Sequence, residues 1–185
     1  MNVALRKGMT LEEFLVWEEA QEERWEFDGF APVAMVGETL AHNTICTNLA
    51  VGLKNRLRGG PCRVFIEGLQ IRPQGVVRYP DAFVSCGPFP AAATVVDNPV
   101  VVFEVLSPGT ASTDILTKNG EYRSMPSIQR YVVLAQDRIA ATVFERRGDA
   151  WVGSVITEAA AVLEMPEIGV SLLLVELYEG LFGES

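Results

Sequence analysis

Val100-Val101-Val102-Phe103-Glu104-Val105-Leu106 is an apolar run interrupted by a single acid. Its branched and aromatic residues predict a strand buried on both faces, as in a sheet covered by helices. Alternation along such a strand places Val102, Glu104 and Leu106 on one face and Val101, Phe103 and Val105 on the other. A carboxylate there costs several kcal/mol unless it is paired or binds a metal. Glu104 is therefore either satisfied by arginine or backbone donors, or is a ligand at a cleft that opens on its face.

The pattern has an echo upstream. Tyr79-Pro80-Asp81-Ala82-Phe83-Val84 sets Asp81 at the mouth of a second apolar strand. Alone, a Pro-Asp pair commonly starts a strand or closes a turn. Two carboxylates on neighbouring strands, however, can converge on one cation. Carboxylate, carbonyl and water oxygens are the donors that hard ions such as Mg²⁺ prefer, with Mn²⁺ an acceptable substitute.

Working outward, Thr10-Leu11-Glu12-Glu13 is a capping box that opens a short helix with Leu11, Phe14 and Leu15 on its apolar side. Residues 24–36 alternate around Asp28-Gly29, a hairpin signal, with Pro32 suited to an edge. A helix is expected over 39–57, with His42, Ile45, Leu49 and Leu53 at helical spacing and Gly59-Gly60-Pro61 beyond its end. Strands are expected over 63–71, 81–85 and 100–106, with an exposed loop over 87–99. A third helix is expected over 113–125, capped from the segment that begins at Ser107. Strands follow over 130–135, 140–145 and 151–157, and the tail 170–181 mixes a strand-like start with a short helix. This order predicts one α/β domain with a mixed central β-sheet flanked by α-helices.

Composition narrows the function. At 185 residues the chain suits a single domain, 1–185, with ample apolar content for a core. No run is long and apolar enough to span a bilayer, and the N-terminus lacks an apolar segment behind Arg6-Lys7, so a cytoplasmic protein with no membrane partner is expected. Cys46, Cys62 and Cys86 are odd in number and widely spaced, and are expected to be reduced thiols. The net charge of −9 argues against indiscriminate nucleic-acid binding. Arg56, Arg58, Arg63, Arg72 and Arg78 could still track a phosphate backbone, or could simply solubilise the surface. Trp17, Trp25 and Trp151 are dispersed, as core or interface residues are, and form no base-stacking platform.

Taken together, Pro80-Asp81, Glu104-Val-Leu-Ser-Pro, and Asp114, Lys118 and Tyr122 in the next helix resemble the Uma2 family of the PD-(D/E)XK nuclease-like superfamily. The resemblance extends to Met9-Thr-Leu-Glu-Glu-Phe, Arg24-Trp-Glu-Phe-Asp-Gly and the His42 helix, and covers residues 9–181. It implies a restriction-endonuclease-like fold, a Mg²⁺-dependent phosphodiesterase site and DNA as substrate. Asp81 matches the first acid of the superfamily motif and Glu104 the second, so these two are the implied metal ligands. The position two residues on, ordinarily lysine, is Leu106. The resemblance implies that Lys118 replaces that lysine from the following helix, where Asp114, Lys118 and Tyr122 share one face at i,i+4 spacing.

Each of these residues also has a plainer account. Lys118 could pair with Asp114 at the surface. Glu26, matched to the family's early acid and a candidate catalytic residue, could be an ordinary polar strand residue. His42, the only histidine, could be a core or cap residue, or could reach a phosphate. Glu67 is a weaker candidate. The expected function is Mg²⁺-dependent endonucleolytic hydrolysis of DNA by Asp81, Glu104, Lys118 and Glu26, in a homodimer whose two sites address two strands. The alternative is a catalytically silent DNA- or protein-binding module that keeps the nuclease fold.

Overall fold

In the computed structural model the described residues are 8–35, 37–106 and 111–182, the side chains of 111–114 excepted. Helix α1 (Leu11–Glu18) starts at Thr10, whose hydroxyl accepts from the Glu13 amide while the Glu13 carboxylate accepts from the Thr10 amide. Strands β1 (Trp25–Phe27) and β2 (Pro32–Ala34) form the expected antiparallel hairpin. Its turn is fixed by Asp28, whose Oδ1 accepts from the amides of Phe30 and Ala31, and by Gly29 at φ +89°. Helix α2 (Leu40–Arg56) is capped by Thr39 and buries His42, Ile45, Cys46, Leu49 and Leu53, one stripe at helical spacing.

Then come β3 (Cys62–Ile66), β4 (Ala82–Cys86), β5 (Pro99–Leu106), α3 (Ala111–Arg123), β6 (Arg130–Ala135), β7 (Ala141–Arg147) and β8 (Ala150–Ile156). Strands β3 to β8 make one six-stranded sheet in sequence order. Only β5 and β6 are parallel, joined through α3; every other neighbouring pair is antiparallel. This is the mixed sheet with flanking helices, an α/β restriction-endonuclease-like fold. After it, β9 (Val162–Met165) and β10 (Val170–Leu173) form a small hairpin, followed by a 3₁₀ turn over Leu174–Tyr178.

The β5 alternation holds. Val101, Phe103 and Val105 pack with Leu49 and Leu53 of α2 and with Leu172 and Leu177 near the C-terminus. Val102 packs instead with Tyr122 of α3, Phe83, Ile128 and Tyr131. A smaller cluster of Phe14, Phe27, Val77 and Tyr79 ties α1 and the first hairpin to the segment before β4. Glu104 consequently lies on the α3 side of the sheet, where its hydroxyl partner Tyr122 is fully buried.

Four expectations are corrected. The strand proposed over 63–71 ends at Ile66, because Glu67 and Gly68 take φ values of +33° and +83°; only isolated bridges continue at Gln70 and Ile71. Gly68 has a steric reason as well, since a Cβ there would lie 2.8 Å from Arg24 Nη1. The 87–99 loop is not wholly exposed: Val96 is buried and its amide donates to the Gln70 carbonyl. Cys62 and Cys86 are not free thiols but face each other across β3 and β4 and are joined by a disulfide. Their separation of 24 residues hides this, because a shared register exists only once the two strands pair. Cys46 is the free, buried cysteine. Lastly, the β9–β10 hairpin had no counterpart ahead of Val170 in the sequence pattern. Among the described residues no helix is long and apolar enough to cross a membrane.

Candidate functional site

The sheet register brings the two motif acids together. Ala82 pairs with Phe103 in the antiparallel β4–β5 ladder, so Asp81 enters beside Glu104. Asp81 Oδ2 accepts a hydrogen bond from the Val105 amide at 2.6 Å. Both acids line a cleft of about 560 Å³, whose walls also include Glu26 of β1, Glu38 and His42 at the start of α2, and Lys118 of α3.

Glu104 is held from α3. Lys118 Nζ donates to its Oε2 at 3.0 Å, and the Tyr122 hydroxyl donates to its Oε1 at 2.6 Å. The i,i+4 spacing of Lys118 and Tyr122 makes this two-point grip possible, because both project from one side of the helix. The Asp114 side chain, the third member of that spacing, lies outside the described residues. Burial pushes the Glu104 pKa well up, against the Lys118 ammonium that pulls it down, with Asp81 adding to the rise. Burial alone would lower the Lys118 pKa, but Glu104 and Glu26 hold it well above its ordinary value. The ammonium thus stays charged between two acids, 3.7 Å from Glu26 Oε1.

Glu26 is anchored in turn. Its Oε2 accepts from Arg78 Nη1 at 3.1 Å, and its Oε1 accepts from the Tyr79 amide at 3.3 Å. Arg78 also donates from Nε and Nη2 to the two oxygens of Glu121, at 2.7 and 2.6 Å. Its side chain is only 5% exposed. Arg78 is therefore neither a solubilising residue nor a tracker of phosphates, but the buried bridge between β1 and α3. Of the other arginines considered, Arg56 pairs with Glu176, Arg58 with Asn55, Arg72 with Gln70, and Arg63 lies over the Phe89 ring. None of those four lines the cleft.

On the opposite wall, His42 Nε2 lies 3.4 Å from Asp81 Oδ1 and 3.4 Å from Glu38 Oε1. Although buried, that nitrogen makes no hydrogen bond among the described residues. Burial works against the charged imidazolium, but Asp81, Glu38 and Glu67 outweigh it and the His42 pKa is raised. One turn along α2, burial and the same acids push the Cys46 thiol far up. Ligand atoms of His42, Cys46 and Asp81 lie within 4.8 Å of one another, the one group of three or more such residues so placed among the described residues. Glu67 joins only through its charge, felt by His42, Glu38 and Cys46.

Of the residues singled out from sequence, Asp81, Glu104, Lys118 and Glu26 all line the one cleft, and His42 joins them. Leu106, at the usual lysine position, lines the same cleft as a hydrocarbon wall. Cys46, Glu38 and Glu121 have no site reading in the sequence pattern, and Arg78 has only the phosphate-backbone or surface reading corrected above. Cys46 had a signal, its i,i+4 spacing from His42 on an expected helix; the Arg78–Glu121 pair, 43 residues apart, had none.

A family model, Uma2, described as "Putative restriction endonuclease", matches residues 11–174. The chain belongs to the Uma2 family. Two Synechocystis proteins, both named as uncharacterized, are relatives over most of their lengths. One, slr1290, is 31% identical over 173 residues, covering 92% of this chain and 91% of its own. The other, sll1609, is 28% identical over 154 residues, covering 80% and 87%. The crystal structure of a protein from Anabaena variabilis, titled a putative nuclease belonging to DUF820, superposes with a TM-score of 0.77 at 18% identity, covering 92% of this chain and 97% of that one. The shared Uma2 fold thus spans nearly the whole described chain, and the cleft forms within it.

Proposed function

We propose that this chain is a Mg²⁺-dependent endonuclease that hydrolyses DNA phosphodiester bonds. The observation that carries the proposal is Lys118 Nζ at 3.0 Å from Glu104 Oε2, on the wall of a cleft shared with Asp81. An ammonium delivered from α3 offers the charge that the motif's own lysine position, here Leu106, does not.

The donor chemistry fits a hard divalent ion. Asp81 and Glu104 offer carboxylate oxygens, and each such oxygen has two lone pairs, so the hydrogen bonds from Val105, Lys118 and Tyr122 do not exhaust them. Bound by these two residues, Mg²⁺ (or Mn²⁺) would supply Lewis-acid compensation for the charge on a scissile phosphate. Lys118 orients the attacking water and stabilises the developing anion through its Nζ donors. Glu26, fixed by Arg78 and the Tyr79 amide, keeps that ammonium aimed between the acids. Tyr122 fixes the Glu104 carboxylate plane from the other oxygen.

DNA as substrate draws support from the family description. A homodimer would address both strands of a duplex. The free edge of the sheet at β8, Ala150–Ile156, carries no charged residue to prevent a second copy from pairing there. One fact favours the silent-module alternative: acids outnumber bases around the cleft, and Lys118 and Arg78 are already committed to acids. Supercoiled plasmid titrated with Mg²⁺ separates the two. The wild-type protein should nick it, whereas Asp81→Ala and Glu104→Ala should not. Equal nicking by all three would mark a contaminant and end the enzyme proposal.

A further inference from the structure

Three acids, Asp81, Glu38 and Glu67, and one cysteine surround a single imidazole at the α2 end of the cleft, and the donor set there differs in kind from that around Glu104. His42 and Cys46 stand one helical turn apart on α2, so their side chains leave the same face. Both residues are buried, at 9% and 4% exposure. Asp81 Oδ1 approaches from the sheet, 3.4 Å from His42 Nε2. Edges of a tetrahedral zinc site with Zn–N, Zn–O and Zn–S bonds of about 2.0–2.3 Å are roughly 3.3–3.7 Å. The Asp81–His42 edge already has that length, and the remaining edges lie within 4.8 Å. The independent observation is His42 Nε2 itself, a buried nitrogen at ion-pair distance from two carboxylates, 3.4 Å each, without hydrogen-bond geometry to either. A buried polar atom normally finds a partner; this one makes no hydrogen bond although its neighbours in the group lie within 4.8 Å. Glu38 Oε1 is also 3.4 Å from Nε2 but lies outside that group of three.

We propose that His42, Cys46 and Asp81 form a site for a borderline divalent cation of the Zn²⁺ class, distinct in its donors from the oxygen-only pair Asp81 and Glu104. Nitrogen and sulfur donors select such ions over Mg²⁺, which takes oxygen and keeps its water. On binding, the ion displaces the thiol proton of Cys46 and the imidazolium proton of His42 to solvent, leaving thiolate and neutral imidazole as ligands. Because Asp81 belongs to both sets, occupancy of the softer site withdraws a ligand from Mg²⁺. That competition rests on the Mg²⁺ reading above; the site itself does not.

The test uses Co²⁺ as a visible substitute on the metal-free full-length chain. Wild-type protein should bind one Co²⁺ with a thiolate-to-cobalt charge-transfer absorption, which Zn²⁺ then bleaches. Cys46→Ser should lose that absorption, which excludes Cys62 and Cys86 as its source. His42→Gln should weaken Co²⁺ by about tenfold or more. Glu104→Gln should keep the absorption. Absence of the band in the wild type, or its persistence in Cys46→Ser, overturns the proposal, and the wild-type spectrum decides even where a variant fails to fold. Plasmid nicking is read on the same samples. The band without nicking sinks only the nuclease reading; nicking without the band sinks only this one. Where both are present, Zn²⁺ should inhibit nicking in the wild type and much less in Cys46→Ser, and equal inhibition would overturn the competition.

Discussion

The two walls of the cleft solve the same electrostatic problem in opposite ways. On the α3 wall each described acid has a cation or hydroxyl within hydrogen-bond reach: Glu104 has Lys118 and Tyr122, Glu26 and Glu121 have Arg78. On the α2 wall Glu38, Asp81 and the charge of Glu67 converge on one histidine whose ring nitrogen bonds to none of them. A compensated wall is stable as it stands and has fixed geometry, which suits orienting a water. A wall whose acids outnumber its one imidazole gains stability from an added cation. The difference teaches that a cluster of acids is not one kind of site; the partner list of each acid decides what it can do.

The contrast can be broken most severely at Arg78. Replacing it by Met leaves Glu26 and Glu121 as excess buried charge, and should cost about 3–5 kcal/mol in denaturant unfolding. A loss below 1 kcal/mol would mean that the α3 wall is not electrostatically closed. Next, Lys118→Met should lower Mg²⁺-dependent nicking by about 10²–10³-fold, the scale for losing one preorganised charged donor, with the fold retained by circular dichroism.

The same variant sharpens the comparison through pH. The folded-state pKa of Glu104 is raised above its unfolded value, so the folded state holds the proton more tightly. Its contribution to stability is therefore greatest below the ordinary carboxylate range and is lost as pH rises through the elevated folded value. Without Lys118 that value rises further, so the stability deficit of Lys118→Met should be small near pH 5 and grow toward pH 8. A pH-independent deficit would show that Lys118 acts through packing alone. Tyr122→Phe removes one hydrogen bond to a charged acceptor and should cost about 1.5–3 kcal/mol, seen as a lower Tm. The smallest effect belongs to the α2 wall. Thr39→Ala deletes the cap whose hydroxyl accepts from the His42 amide and should cost about 1 kcal/mol while weakening Co²⁺ and sparing Mg²⁺. Equal losses for both ions would mean that the two walls share one site.

Much of this was legible in the chain. The 100–106 run gave a strand whose faces split as alternation demands, the Thr10 and Thr39 caps marked two helix starts, and the i,i+4 spacing of Lys118 and Tyr122 put both on one helix face. Less legible was everything that depends on register between distant segments. The strand expected over 63–71 stops early at two left-handed residues, the Cys62–Cys86 bond needs β3 and β4 to align, and the burial of Arg78 depends on partners 43 and 52 residues away.

By itself, then, the sequence determined periodicity: which residues alternate, which share a helix face, and where an acid interrupts an apolar strand. Those are properties of neighbours along the backbone, fixed by the geometry of one turn or one pleat. The tertiary structure alone decided the company each charged group keeps, setting Lys118 against Glu104 and leaving His42 facing Asp81 without a bond. Coulomb and desolvation energies depend on separation in space, and chain order does not encode that separation until the sheet has closed.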